Sequence, residues 1–419
     1  MPSNATGLKR IAIVGAGPAG LMAAERLSQF DYEIHVFEQK PSAARKFLMA
    51  GKTGLNISHA EPLPQFIQRY DAAEWLAPWI EACDAVWIQA WMKNLGVASY
   101  VGSSGRVFPI EMKAAPLLRA WLKRLLAQQV QFHYRHQVVG LKGKTLRLKS
   151  LKTDALEQAY NLDFDAIVLA TGGVSWPQLG SDGAWQQWLS SDEISPFQAS
   201  NAGVCRSWSS FMQPIFGQPL KRVTAWVAGH EKSIGDIVIS HYGLESGLIY
   251  KQGRALRQQR QAIVQSQGST EQRMPNMTLY LDLLPELTES QLLKKIQPQA
   301  KQSTANLWRK AGLDPTKSAL LRELIDKSKW SDSAYMAKQM KQLKIELTDF
   351  RPIEEAISCA GGVQQQALDA NLQLKSNPRV FCCGEMLDWD APTGGYLLTA
   401  CFATGRAAGE AVHQYLETA

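Results

Sequence analysis

Three glycines, in Gly15-Ala16-Gly17-Pro18-Ala19-Gly20, stand at the spacing of a phosphate-binding turn. The first allows a tight turn, the second lets backbone approach a pyrophosphate, and the third lets a helix close on a strand. Alone the pattern is weak, so its flanks decide. Before it, Lys9-Arg10-Ile11-Ala12-Ile13-Val14 is a short apolar, β-branched run. After it, Leu21 to Leu27 reads as a helix whose free N–H groups would face the phosphates. Tyr32 to Glu38 reads as a second strand. Strand, glycine turn, helix and strand make a parallel βαβ unit. Glu38 ends that second strand 18 residues after Gly20. An acid at this place accepts hydrogen bonds from ribose hydroxyls.

Two distant segments choose between a nicotinamide and a flavin dinucleotide. Asp165 to Ala170 is an apolar strand stopped by Thr171-Gly172-Gly173, and Arg379 to Cys383 is another, followed by Gly384-Glu385. Both endings recur in flavoproteins with two dinucleotide-binding domains. There the late acid meets the ribityl chain, and the next glycine loop, here Ala391-Pro392-Thr393-Gly394-Gly395-Tyr396, wraps the ring. No second GxGxxG follows a strand, because Gly405 to Gly409 falls inside the last helix pattern. The expectation is non-covalent FAD, with NAD(P)H at most a transient electron donor.

These residues need a frame. Residues 60–130 read as mostly helical, with Trp75, Trp79, Trp87, Trp91 and Trp121 spaced for buried faces. Strands return at 131–140 and 145–162, the latter as a hairpin. Short strand-like runs at 222–228, 236–240 and 277–283 make 196–284 β-rich. Residues 285–348 read as basic helices broken at Pro298 and Pro315. Domains are therefore expected at 1–195 with 349–419, at 196–284 and at 285–348.

Composition excludes whole classes. With 419 residues, 45% hydrophobic and 20% charged, the chain suits a globular protein of two to three domains, not a disordered, collagen-like or coiled-coil one. No apolar run of about 18 residues reads as a membrane span, and the start shows no apolar leader. Six cysteines form no CxxC or zinc spacing, so no metal is expected. Cys382-Cys383 reads as two small buried side chains, and a reducing, cytoplasmic setting fits. The net charge of +7 is matched by residues 291–347, where twelve Lys/Arg meet five acids. That run is the basis of an alternative reading, a flavin-bearing RNA-binding or RNA-modifying protein. Its few interleaved aromatics, Trp308, Trp330 and Tyr335, count against it.

The chain resembles the BaiN-like flavoproteins, which include aminoacetone oxidase and the YhiN-type proteins. The resemblance runs over nearly the whole length. It is carried by Ile13 to Gly20, Gly51 to Ser58, Gly105 to Pro109, Ala170 to Pro177 with Gly180, Ser240 to Leu244, Ala360 to Val363, Gly384 to Asp388 and Thr393 to Tyr396. Two loops depart from it. Gly54-Leu55-Asn56 stands where the family often has Gly-Arg-Cys-Asn, and Glu245-Ser246-Gly247 where it often has Ser-Gly-Pro. The resemblance implies an α/β, Rossmann-like FAD fold of the two-dinucleotide-binding-domain type. An inserted β-barrel-like domain and a helical subdomain would split it.

The residues expected to hold FAD are Gly15, Ala16, Gly17, Pro18, Ala19, Gly20, Glu38, Gln39, Lys40, Lys52, Asn56, Val138, Ala170, Thr171, Gly172, Gly384, Glu385, Gly394, Gly395, Tyr396 and Leu397. His241 and Glu245 are the titratable pair of a family-like loop and the expected proton carriers, with Tyr396 lining the ring or substrate. The activity expected is hydride transfer between flavin and a small organic substrate, as an oxidase or as an NAD(P)H-driven reductase. The oligomeric state is left open.

Overall fold

A computed structural model describes residues 7–52, 54–152, 158–267, 275–298 and 302–418. Met1 to Thr6, Thr53 of the Gly51–Ser58 motif and Lys301 of the basic run lie outside the described residues. The chain forms two units, Met1–Gln198 with Ser358–Ala419, and Ala199–Ile357.

In the first unit five short apolar runs become β1 (Arg10–Val14), β2 (Glu33–Glu38), β3 (Gln131–Tyr134), β4 (Ala166–Leu169) and β5 (Val380–Cys382). They form one sheet in the order β5-β4-β1-β2-β3, and every neighbouring pair is parallel. Ile11 to Ile13 and Ala166 to Leu169 are fully buried, as strands covered on both faces require. Helix α1 (Pro18–Leu27) packs against α2 (Tyr396–Thr418). A Cβ at Gly405 would lie 2.3 Å from the Ala19 carbonyl oxygen, so that glycine sets how closely the two helices meet.

Of the tryptophans spaced for buried faces, Trp91 and Trp121 are buried and Trp75, Trp79 and Trp87 pack half-buried against the same core. Trp91 meets Trp121 edge-on with centroids 4.8 Å apart, and both lie against Phe402 of α2. A three-stranded antiparallel meander, His136–Lys142, Thr145–Ser150 and Tyr160–Asp163, follows β3. Cys382 and Cys383 are buried free thiols.

The second unit is antiparallel. Seven strands run in the order Leu343–Leu347, Met277–Asp282, Pro219–Trp226, Ser233–Ser240, Gly243–Glu245, Val204–Cys205, Asp349–Phe350. The first and last are one stretch of chain interrupted at Thr348, so the sheet closes on itself like a barrel. Closure leaves no free edge. Helices Glu289–Ile296, Thr304–Ala311, Pro315–Leu324 and Ser333–Lys341 begin at Thr288, Ser303, Asp314 and Asp332, each of which caps a backbone N–H.

Two features depart from the sequence reading. Residues 285–348, expected as a separate part, share one apolar core with the barrel: Trp308, Leu320 and Met340 pack with Val223, Ile239 and Leu279. The β-rich stretch also contains a 21-residue helix, Gly247–Gln267. Its buried Leu248, Gln252, Ala255 and Leu256 keep helical spacing, but the polar residues between them mask the pattern. Among the described residues, no helix is long and apolar enough to cross a membrane.

Candidate functional site

Four neighbouring strands of the parallel sheet end side by side. β1 gives way to Gly15, β2 ends in Glu38, β4 leads to Ala170-Thr171-Gly172, and β5 leads to Gly384-Glu385. Because the strands are parallel, these endings form one row. In open α/β sheets that row is where ligands bind.

The glycine turn is sterically closed behind and open in front. Gly15 has φ +105° and donates to the Phe37 carbonyl, and a Cβ there would lie 2.3 Å from the Ala170 carbonyl oxygen. At Gly20 a Cβ would lie 2.0 Å from the Gly15 carbonyl oxygen. Gly17, with an ordinary φ of −80°, has nothing within 4 Å of where a Cβ would sit, and neither has Gly172. Pro18 opens α1 and no side chain caps it, which leaves its first N–H groups to the open side. Ala19 is buried under the turn.

Glu38 is tied to this turn. Its Oε2 accepts from Ala16 N–H at 3.1 Å and its Oε1 from Lys40 N–H at 2.8 Å. Burial raises its pKa, with the two N–H donors, Lys40 and Arg45 pulling the other way. Each oxygen retains a further lone pair for a ligand hydroxyl. Gln39 Nε2 donates to the Gly180 carbonyl at 3.0 Å, so it fastens one loop to another.

The segment after Glu38 folds back over the turn, with Ala44 N–H donating to the Ala16 carbonyl at 2.9 Å. This brings in two residues that the sequence reading missed. Arg45 carries a buried Nε with no hydrogen-bond partner among the described residues. Lys46 Nζ donates to the Gly173 carbonyl at 3.3 Å. Asn56 Oδ1 is likewise buried and without a partner among the described residues. Unsatisfied buried polar atoms are rare in native proteins and call for a ligand or water. With the open faces of Gly17 and Gly172, they fit a bound dinucleotide.

Glu385 lies beside Gly173 and accepts from Cys359 N–H at 3.3 Å. Burial raises its pKa against the pull of Lys46. Cys359, also missed, accepts from Val174 N–H at 3.2 Å, and burial pushes its thiol up to about 11. Gly384 N–H donates to Thr404 Oγ1, and Thr171 Oγ1 faces Met386 Sδ. Gly395, at φ +97°, lies so flat on Ser58 that a Cβ would come within 2.5 Å of its Cα. Leu397 sits half-buried in the first turn of α2.

Other expected contacts are less engaged. Lys52 is exposed, and Val138 is buried in the meander against the first unit's core. Tyr396 is buried among Phe66, Tyr70 and the His59 ring, with its hydroxyl donating to Glu61 Oε1 at 2.5 Å.

His241 and Glu245 belong to the second unit, His241 on the tight turn between Ser233–Ser240 and Gly243–Glu245 and Glu245 at the end of the latter strand. His241 is exposed and sets its ring edge-on to Tyr242 at 5.1 Å. The Tyr242 hydroxyl donates to Glu245 Oε2, and the Arg351 guanidinium lies 4.4 Å over its ring. Burial and Glu245 push the Tyr242 pKa up. In the sequence Tyr242 reads as an ordinary aromatic, and only the fold brings its hydroxyl to Glu245.

The basic helices point their aromatics inward. Trp308 is buried, Trp330 and Tyr335 pack against the same core, and Arg322 covers both indoles. That turns these rings toward the core rather than toward bases, which counts against an RNA-binding reading. Among the described residues, no group of three or more His, Cys, Asp or Glu is placed to hold a metal.

The model of the HI0933-like protein Rossmann domain matches residues 9–411. Over 427 residues the chain is 22% identical to the 3-dehydro-bile acid delta(4,6)-reductase of Clostridium scindens, covering 96% of this chain and 99% of the reductase. Among solved structures, a flavocytochrome c3 fumarate reductase in its open conformation superposes with TM-score 0.51 at 12% identity, covering 98% of this chain and 79% of that one. A 3-ketosteroid delta1-dehydrogenase from Sterolibacterium denitrificans gives TM-score 0.50 at 11% identity, covering 97% and 99%. At such identities the two structures speak for the fold alone. The chain is an FAD-dependent oxidoreductase, and it belongs to the HI0933-like family of Rossmann-domain proteins.

Proposed function

We propose that this protein reduces a carbon–carbon double bond conjugated to a carbonyl in a small, largely apolar organic substrate, with NAD(P)H as the transient electron donor. The observation that carries the reading is the row of four strand ends, which offers one continuous bed for a dinucleotide. The choice of reduction over oxidation is supported by full-length likeness to a protein named 3-dehydro-bile acid delta(4,6)-reductase.

Bound FAD would supply the hydride chemistry, and the protein would bind, orient and tune it. The N–H groups at Gly17 to Ala19 would meet the pyrophosphate, with Arg45 beside them. Glu38 would take the ribose hydroxyls, and Glu385 the ribityl chain. Gly394, Gly395 and Leu397 would lie along the ring, with Asn56 and Lys52 at its polar edge.

Reducing such a bond leaves negative charge on the carbonyl oxygen and calls for a proton at carbon. Tyr242 suits a proton donor because its phenol carries its proton at neutral pH and is held in a fixed place by Glu245. Glu245 would orient that hydroxyl, and exposed His241 would return the proton from water. Tyr396, with its ring packed by His59, Phe66 and Tyr70 and its Glu61 partner held by Arg69, would position rather than react.

Anaerobic titration tests the reading. NADH or NADPH should bleach the visible flavin band, and an enone should restore it without air. Flavin that only oxygen reoxidises, whatever enone is added, would instead establish the oxidase alternative.

A further inference from the structure

Tyr396 opens α2 directly after the Gly394-Gly395 loop, and it is held at both ends. Its carbonyl accepts from the Tyr70 hydroxyl at 2.7 Å, and its own hydroxyl donates to Glu61. Glu61 is gripped in turn. Arg69 donates to both of its carboxylate oxygens, from Nε at 3.1 Å and from Nη2 at 2.6 Å. Glu61 N–H donates to His59 Nδ1 at 3.1 Å, and the His59 ring stacks over Tyr396 with centroids 5.6 Å apart. Behind the loop, Ser58 Oγ and Thr399 Oγ1 share a hydrogen bond, and Thr399 Oγ1 donates to the Gly395 carbonyl. The other end is tied as well, by Asp71 N–H to the Asp390 carbonyl and Asp390 N–H to Asp71 Oδ1.

The Glu61 side chain is only 10% exposed, while that of Arg69 is 50% exposed. A carboxylate so enclosed is costly unless fully bonded. A bidentate guanidinium supplies that bonding with fixed direction. Nothing in the parallel-sheet core needs this network, since Phe66 and Tyr70 already pack the Tyr396 ring. Its geometry restrains the place where the glycine loop enters α2.

We infer that Glu61 and Arg69 form a positioning latch that acts through Tyr396 to hold the Gly394–Gly395 loop in the conformation that grips the flavin. The inference rests on the proposed function, which sets this loop along the ring. Burial pushes the Glu61 carboxyl up, but the hydrogen bonds from Arg69 and Tyr396 outweigh it and hold the group below the usual carboxylate range. The latch is therefore closed at neutral pH and opens only in acid, as pH falls through that depressed value.

The test is the rate at which bound FAD leaves, followed by the fluorescence of released flavin. Glu61→Gln and Tyr396→Phe should each speed release about tenfold, the loss expected for one hydrogen bond to a charged partner. The double variant should be no faster than either single one, because both break the same link. Arg69→Met should behave like them, and Arg69→Lys should recover part of the hold. Melting temperature is read in parallel on FAD-free protein. Variants that lower it but release FAD at the wild-type rate make the network structural and overturn the latch. Additive effects of Glu61→Gln and Tyr396→Phe overturn it too. A wild type that takes up no FAD sinks the functional reading, and the latch falls with it; a wild type that binds FAD separates the two failures.

Discussion

The two units assemble their chemistry-bearing groups in opposite ways. In the first, each group sits at the end of a different strand or loop. Lys46 meets Gly173, Cys359 meets Glu385 and Tyr396 meets Glu61, across 127, 26 and 335 residues. In the second, His241 and Tyr242 form one tight turn, Glu245 ends the strand that follows it, and Arg351 comes from elsewhere. The difference follows from sheet type. Parallel strands need long crossovers, so neighbours at one sheet end are distant in sequence. Antiparallel strands turn back at once, so neighbours in space are neighbours in chain. A bed for a long cofactor suits the first arrangement, and a compact proton-handling group suits the second.

Breaking the local group should give the largest effect. Glu245→Gln or His241→Ala should slow flavin reduction or reoxidation by about 10²–10⁴-fold, the usual worth of general acid–base help. FAD affinity should stay at the wild-type value, because both residues lie outside the unit that carries the strand-end row. Single-turnover bleaching and recovery measure the first, and fluorescence titration the second. Wild-type rates in both variants would make the turn structural.

The strand-end row should respond in affinity instead. Glu38→Ala removes a charged acceptor worth about 1.5–3 kcal/mol, a tenfold to hundredfold loss in FAD binding. Gly17→Ala should lose at least as much without touching the fold, since its added methyl meets no protein atom. Gly20→Ala is the contrast. Its methyl would collide with the Gly15 carbonyl, so FAD-free protein should itself lose about 1–3 kcal/mol in a urea titration. Equal stabilities for these two glycine variants would contradict the turn geometry.

How much of this the sequence made legible depends on the range of the signal. The βαβ unit was readable because spacing, flanks and Glu38 fall within one short stretch. The strand ends at Ala170 and Gly384 were readable because each apolar run stops in glycine. Lys46, Cys359 and Glu61 were not, because their partners lie on other elements and no local pattern ties them. The helix Gly247–Gln267 was hidden by its own polar residues, and one of its buried positions is a glutamine. The basic segment looked separate because its charge sets its composition apart, while its Trp308 and Leu320 complete the barrel's core and Lys317 is buried.

A smaller effect belongs to the far edge of the parallel sheet. His35 Nδ1 and His133 Nε2 share a hydrogen bond at 3.0 Å, and His35 Nε2 meets Glu33 Oε1 at 3.0 Å. Burial, with His35, His136 and Lys152 nearby, lowers the His133 pKa to about 4, and burial also lowers His35 against the pull of Glu33. The unfolded chain then binds more protons than the folded one between the ordinary histidine value and about 4. Stability should be complete above that window and fall as pH drops through it. His133→Phe should flatten the slope of melting temperature against pH, and an unchanged slope would place the titration elsewhere.

The central claim is that the row of strand ends at Gly15, Glu38, Gly172 and Glu385 is a bed for non-covalent FAD. The most direct measurement is FAD uptake by the wild type and by Gly17→Ala, followed by acid precipitation and a melting curve of each FAD-free protein. The account predicts stoichiometric FAD in the wild type, all released to the supernatant. It predicts weak uptake by Gly17→Ala at an unchanged melting temperature. A wild type that takes up no FAD, or a Gly17→Ala variant that binds it as tightly as the wild type, would contradict it.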